Sequence, residues 1–205
     1  QGKGVAEVDI VRMGEAGLLD DVAKGFRASA EQRGLALSTN WEGPDVAYQA
    51  DAQRLRQMLS ILIDNAVRHT GEGHIAVAGT EAAREGSMAV LRFEVSDTGS
   101  GLSAEHLQQV FHAPSRMSDG RTSDANGGLD LPLVHRLARL MHGDTGAKST
   151  PGEGATFWFR IRAQVVEIAS NVSEHNHVMD RGEPGSNALS VSVDIGDLRR
   201  RFGGD

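Results

Sequence analysis

The sequence predicts an α/β protein, an α+β two-layer sandwich in which helices back one face of a mixed β-sheet. Three observations carry that expectation. Between residues 51 and 69, Leu55, Met58, Leu59, Leu62, Ile63 and Ala66 recur at three- and four-residue spacing, a single apolar stripe on a long helix. Between 89 and 95, Ala89, Leu91, Phe93 and Val95 alternate with Val90, Arg92 and Glu94, the period of a strand with one face buried. Residues 155–162 repeat that alternation, with Phe157, Phe159 and Ile161 set against Thr156, Trp158 and Arg160. Helices and strands that are each apolar on one side bury those sides against one another.

The elements follow in order. Val8 to Arg12 reads as a short strand, and residues 15–33 as a helix with Leu18, Leu19, Val22 and Phe26 on one stripe, stopped at Gly34. Leu35, Leu37 and Trp41 mark a strand-like run that ends at the Gly43–Pro44 turn. The long helix is capped by Asp51 and closed by Gly71 and Gly73. His74 to Ala78 and Ala89 to Val95 form paired strands around a turn region over 81–87. A short helix covers 104–110, and the polar stretch 115–126 reads as a loop, too rich in Ser, Asp, Gly and Arg to pack. A helix from Leu133 to Met141 accepts Pro132 in its first turn, where no N–H is needed. The division expected is a domain over 1–163 and a linker or tail over 164–205, in which only Val191, Val193 and Ile195 alternate.

Composition narrows the function classes. The formal net charge of −7 argues against a nucleic-acid partner, and the absence of cysteine excludes disulfide scaffolds and thiolate metal sites. No apolar run approaches the roughly 20 residues of a membrane span. The chain begins at Gln1 rather than Met, so it is read as a fragment without direct membrane contact, any membrane-spanning portion lying upstream, and the absence of cysteine is compatible with a reducing cytoplasm.

Three blocks carry chemistry. Asn65, Arg68 and His69 lie on adjacent turns at the end of the long helix, at the edge of its apolar stripe. An Asn amide oxygen suits magnesium and an Arg suits a phosphate oxygen. Asp97-Thr98-Gly99-Ser100-Gly101-Leu102 directly follows a strand. A carboxylate there can accept an exocyclic amine, and glycines let backbone approach a flat ring. Asn126-Gly127-Gly128-Leu129-Asp130-Leu131 is a glycine-rich turn opening a helix, where backbone N–H groups bind phosphate. None of these ends in the Gly-Lys-Ser/Thr of a P-loop.

Taken in series, and with Val110-Phe111 and Pro151-Gly152-Glu153-Gly154-Ala155-Thr156-Phe157 added, these blocks resemble the nucleotide-binding boxes of sensor histidine kinases. Those kinases belong to the gyrase, Hsp90, histidine kinase and MutL superfamily, and the likeness spans about residues 5–162. It implies a Bergerat-type ATP-binding fold, with ATP and Mg2+ as cofactors and Asn65 as the metal ligand. By the same resemblance Arg68 approaches the phosphates, His69 takes the family's aromatic position, and Asp97 reads the adenine amine beside Gly99, Gly101 and Leu102. Arg116 or Arg121, on a lid over 115–126, meets the γ-phosphate. Gly127, Gly128, Leu129, Leu131 and Thr156 complete the expected ATP-binding set.

No residue of the chain is assigned a covalent catalytic role. None of its histidines has the sequence context of a phospho-acceptor, so the acceptor would lie on a separate helix domain of a homodimeric full-length kinase. A response regulator or receiver domain would be the onward partner. Ile61 stands where ATP-hydrolysing superfamily members carry a general base, and it cannot accept a proton. Asp130 replaces the second Gly of the family's Gly-Leu-Gly-Leu box, and Pro114 replaces the second Phe of its Phe box. Those two departures keep a second reading in play, a degenerate nucleotide-binding or docking module without catalysis.

Overall fold

The computed structural model describes residues 9–111 and 130–166. Among them, β1 (Asp9–Arg12), β2 (Leu35–Glu42), β3 (Ala47–Ala50), β4 (Gly73–Glu85), β5 (Met88–Asp97), β6 (Asp144–Thr150) and β7 (Gly154–Val166) form one mixed sheet. Its order is β1-β3-β7-β5-β4-β2. β6 pairs with the start of β7 on the same edge that β3 uses at its end. Only β2 and β4 run parallel; the other pairs are antiparallel. The helices are α1 (Leu18–Gln32), α2 (Ala52–His69), α3 (Ala104–Gln109) and α4 (Leu131–Leu140).

The expected layering is present. α2 buries Leu55, Met58, Leu59, Leu62 and Ile63 in the same core as Leu91, Phe93 and Val95 of β5 and Phe157, Phe159 and Ile161 of β7. Each such side chain, fully withdrawn from water, contributes about 2 kcal/mol. Phe93 and Phe159, opposite one another in the register, stack at 5.0 Å between centroids. α2 starts as expected, with the Asp51 carboxylate accepting the Arg54 N–H at 2.9 Å. It ends on Thr70, fully buried, whose hydroxyl donates to the Ala66 carbonyl at 2.7 Å. Gly73, at φ +108°, then turns the chain into β4.

Several boundaries differ from the sequence expectation, each for a local reason. α1 begins at Leu18 rather than near Glu15 because residues 14–17 make a tight turn, Gly17 N–H donating to the Gly14 carbonyl at 2.7 Å. β3 was not anticipated: Ala47, Tyr48 and Ala50 are all buried, which leaves no alternation to read. β4 runs on to Glu85, and the turn is confined to Gly86 and Ser87. The charged run 81–85 suggested a turn, but a bulge between Glu81 and Ala83 redirects Glu81. Its carboxylate accepts the Tyr48 hydroxyl at 2.5 Å and both Arg84 guanidinium bonds at 2.7 Å. Arg84 holds the Glu81 carboxyl below its ordinary range, while burial pushes the Tyr48 phenol up. β6 was also missed. Its Gly146 lies under the Trp158 ring, which a Cβ would meet at 2.2 Å, so packing rather than strand propensity chose that residue. α4 opens at Leu131, with Pro132 in its first turn.

Candidate functional site

The end of α2, the end of β5 and the β6–β7 hairpin meet at one end of the sheet. Asn65 is 5% exposed, and its Oδ1 is the one buried side-chain polar atom among the described residues with no hydrogen-bond partner. Leaving a buried acceptor unpaired costs about 1–3 kcal/mol, so such groups are rare in settled interiors. One turn on, Arg68 and His69 are exposed, and Arg68 pairs with Asp64 at 2.8 Å. Arg33 also donates to the Arg68 carbonyl at 3.4 Å.

Asp97 ends β5 on the helix-covered face and is partly buried. Burial pushes its carboxyl above the ordinary carboxylate range; the backbone N–H groups of Gly99 and Ala155, and His69 nearby, act the other way. Gly99 donates to Asp97 Oδ1 at 2.8 Å.

The loop after Asp97 is pinned on both sides. Toward α2, the Thr98 hydroxyl accepts the His74 N–H at 3.1 Å and donates to the Glu72 carbonyl at 3.2 Å. Gly99 lies flush against the last turn of α2, where a Cβ would come within 2.4 Å of the His69 carbonyl oxygen. Toward the hairpin, the Gly152 N–H donates to the Ser100 carbonyl and the Leu102 N–H to Ser149 Oγ, both at 2.7 Å. Gly101 needs its φ of +66°, and a Cβ there would sit 2.2 Å from the Thr150 carbonyl oxygen.

The structure therefore brings His69, Asp97, Gly99, Gly101 and Leu102 together, with Asn65 one helical turn before His69 and Arg68 exposed beside it. It does not bring Thr156 there. β7 alternates so that Ala155 and Phe157 face the helices, while Thr156 lies on the open face, hydrogen-bonded to Ser96 at 2.8 Å. Leu131 is fully buried in the core at the start of α4. Arg116, Arg121, Gly127, Gly128 and Leu129 lie outside the described residues. Asp130 is exposed, and its side chain caps nothing at the start of α4. Phe111 packs edge-on against Phe157 at 6.3 Å. Sequence reasoning missed Ser149 and Thr98, the two hydroxyls that hold the loop. The signal available was weak, a Ser or Thr bordering a glycine turn.

Magnesium fits these donors. Among the described residues no group of three or more His, Asp or Glu is gathered as a metal cage. Magnesium does not require one: it is commonly held by one or two protein oxygens, with phosphate oxygens and water completing its octahedron. The free Asn65 Oδ1 is such an oxygen.

Residues 50–165 match the family described as histidine kinase-, DNA gyrase B-, and HSP90-like ATPase. The chain is 33% identical over 156 residues to the sensor protein EvgS of Escherichia coli O157:H7, covering 76% of this chain and 13% of that protein. It is 38% identical over 130 residues to the peroxide stress-activated histidine kinase mak2 of Schizosaccharomyces pombe, covering 60% of this chain and 6% of that one. The chain thus spans only a small part of these relatives' length. Among solved structures it is similar to full-length ShkA in complex with AMPPNP, with a TM-score of 0.64 and 29% identity over 79% of this chain and 33% of that one. The catalytic domain of the histidine kinase ThkA, at 20% identity and a TM-score of 0.56, covers 75% of this chain and 95% of its own, and shares the fold.

Proposed function

Because the chain belongs to the histidine kinase-, DNA gyrase B- and HSP90-like ATPase family, we propose that it is the ATP-binding catalytic domain of a sensor histidine kinase. In this reading it binds Mg–ATP and presents the γ-phosphoryl group to a histidine on a separate dimerisation helix domain. Phosphoryl transfer asks a protein mainly for positioning and charge stabilisation, which suits a site with no nucleophile of its own. Bound magnesium would neutralise phosphate charge, held on the protein side by Asn65. Asp97 would accept the adenine amine, its carboxylate oriented by the Gly99 N–H. Gly99 and Gly101 would let the base lie close to backbone, with Leu102 as an apolar wall. Arg68 would exchange Asp64 for a phosphate oxygen, a low-cost move because that pair is half exposed.

Ile61 supports transfer to an imidazole over hydrolysis. It packs partly buried against the core one turn before Asn65, so no proton acceptor is available there to activate water. The observation that carries the proposal is the unpartnered, buried amide oxygen of Asn65, one helical turn before the His69 carbonyl against which Gly99 of the Asp97 loop packs.

The reading extends to a homodimeric full-length kinase in the cytoplasm, with a response regulator or receiver domain as onward partner. The relatives' names support it, since they are sensor and hybrid signalling kinases. No helix among the described residues is long and apolar enough to cross a membrane. β7 runs to Val166, three residues past the domain boundary expected at 163, because residues 164–166 pair with β3; the linker or tail is kept for the residues after it.

Calorimetric titration with Mg–AMPPNP tests the proposal. Saturable binding that needs magnesium and is lost in Asn65→Ala is expected, together with phosphate transfer from ATP to an acceptor-helix domain supplied in trans. No binding at millimolar nucleotide would leave only a docking module.

A further inference from the structure

Three residues lie in one row across the sheet. In the strand register Asp97 is opposite Ala155, and Ala155 is opposite Ser149 on its other edge. Directly paired residues point to the same face, so Ser149, Ala155 and Asp97 all face the helix-covered side. Ser149 Oγ accepts the Leu102 N–H at 2.7 Å and donates to the Gly154 carbonyl at 2.7 Å, which uses its hydrogen and one lone pair. Leu102 closes the segment that holds Gly99, and Gly154 precedes Ala155. The Gly99 N–H donates to the Asp97 carboxylate, and Ala155 lies directly opposite Asp97 in the register.

We propose that Ser149 is a positioning residue for base recognition, its hydroxyl clasping together the two backbone segments that orient the Asp97 carboxylate. The inference deepens the nucleotide-binding reading and rests on it. No other side chain makes this bridge among the described residues; the Gly152-to-Ser100 bond joins the same hairpin and loop farther from Ala155. Removing the hydroxyl takes away the bond to the Leu102 N–H and the bond to the Gly154 carbonyl, so that the Gly152-to-Ser100 bond is left to hold the loop against the hairpin. A carboxylate held by fixed donors can require an amine at position 6 of a purine. One on a loosened frame discriminates less against the 6-oxo group of guanine.

The test measures binding of Mg–AMPPNP and Mg–GMPPNP to the wild-type chain and to Ser149→Ala, Ser149→Thr and Ser149→Val. The Thr and Val variants have the same shape and differ in the hydroxyl, so that pair gives an answer even where Ser149→Ala folds poorly. Loss of the hydroxyl should weaken the adenine nucleotide about tenfold, the scale of one charge-assisted hydrogen bond, and the guanine nucleotide much less. Ser149→Thr should keep the wild-type preference. An unchanged adenine-to-guanine ratio in both Ala and Val overturns the proposal, as does equal weakening of both nucleotides. A wild-type chain that binds neither nucleotide removes the nucleotide-binding reading itself, and this inference with it.

Discussion

Asn65→Ala separates a residue kept for a ligand from one kept for the fold. Three effects set the stability change without nucleotide. Removing the unpaired Oδ1 relieves about 1–3 kcal/mol of desolvation penalty. Replacing Asn by Ala inside a helix gains about 0.5 kcal/mol of propensity. Against these, the small void left by a carboxamide forfeits packing worth about 1 kcal/mol. The balance leaves the variant between about 0.5 and 2.5 kcal/mol more stable than wild type, which raises Tm by about 1–10 °C for a chain of this size. Leu62, fully packed three residues earlier, should instead lose about 2–5 kcal/mol on truncation to Ala. With Mg–AMPPNP at a hundredfold excess over its Kd, wild type gains about 2.7 kcal/mol and the variant gains nothing, so the order of the two melting curves reverses. Differential scanning calorimetry with and without nucleotide reads both halves. A loss of more than about 2 kcal/mol in the nucleotide-free variant would refute the reasoning, because the carboxamide would then be supporting the fold.

Asp97→Asn tests the same trade at the other end of the site. Burial raises the folded-state pKa, so the native chain holds its proton more tightly than the unfolded chain, and stability falls as pH rises from the ordinary carboxylate value through the raised one. The Asn variant should lack that falling limb and be the more stable protein at pH 7, while losing its preference for adenine over guanine nucleotides. Identical pH–stability curves for the two proteins would count against it. Gly154→Ala places a Cβ 1.9 Å from the Asp97 carbonyl oxygen at a φ of +97°, and should cost more than about 3 kcal/mol in urea denaturation. Gly152→Ala, at φ +83° with nothing within 4 Å, should cost only about 1 kcal/mol. Asp130→Gly removes an exposed carboxylate that makes no capping bond, so it should tighten Mg–AMPPNP about threefold to tenfold by relieving charge repulsion. An unchanged Kd would place Asp130 away from the phosphates.

How much of this was legible follows from how burial writes itself into a chain. α2, β5 and β7 each bury one side, and their periods of 3.6 and two gave both their existence and their faces. β3 buries three of its four residues, and β6 is shaped by the Trp158 ring above it, so neither carries a period of its own. In the candidate site, Asn65 and Asp97 could be singled out because they are polar residues at the ends of elements patterned for burial. Ser149 was not, since its role exists only once two distant segments are brought together. Thr156 shows how the two kinds of evidence should be ranked. Resemblance assigned it to the nucleotide, yet the alternation already read from β7 put Phe157 in the core and therefore its neighbour Thr156 on the opposite face. A period-two constraint in a strand fixed by Phe157, Phe159 and Ile161 can be escaped only by a bulge, and none interrupts β7 against β5 between Thr156 and Ile161. The neighbouring position that faces the helix-covered side, opposite Asp97, is Ala155. Thr156→Val should therefore leave nucleotide affinity within about twofold of wild type, a difference of about 0.4 kcal/mol. A large loss in that variant would mean that the open face of the sheet, and not only its helix-covered side, takes part in binding.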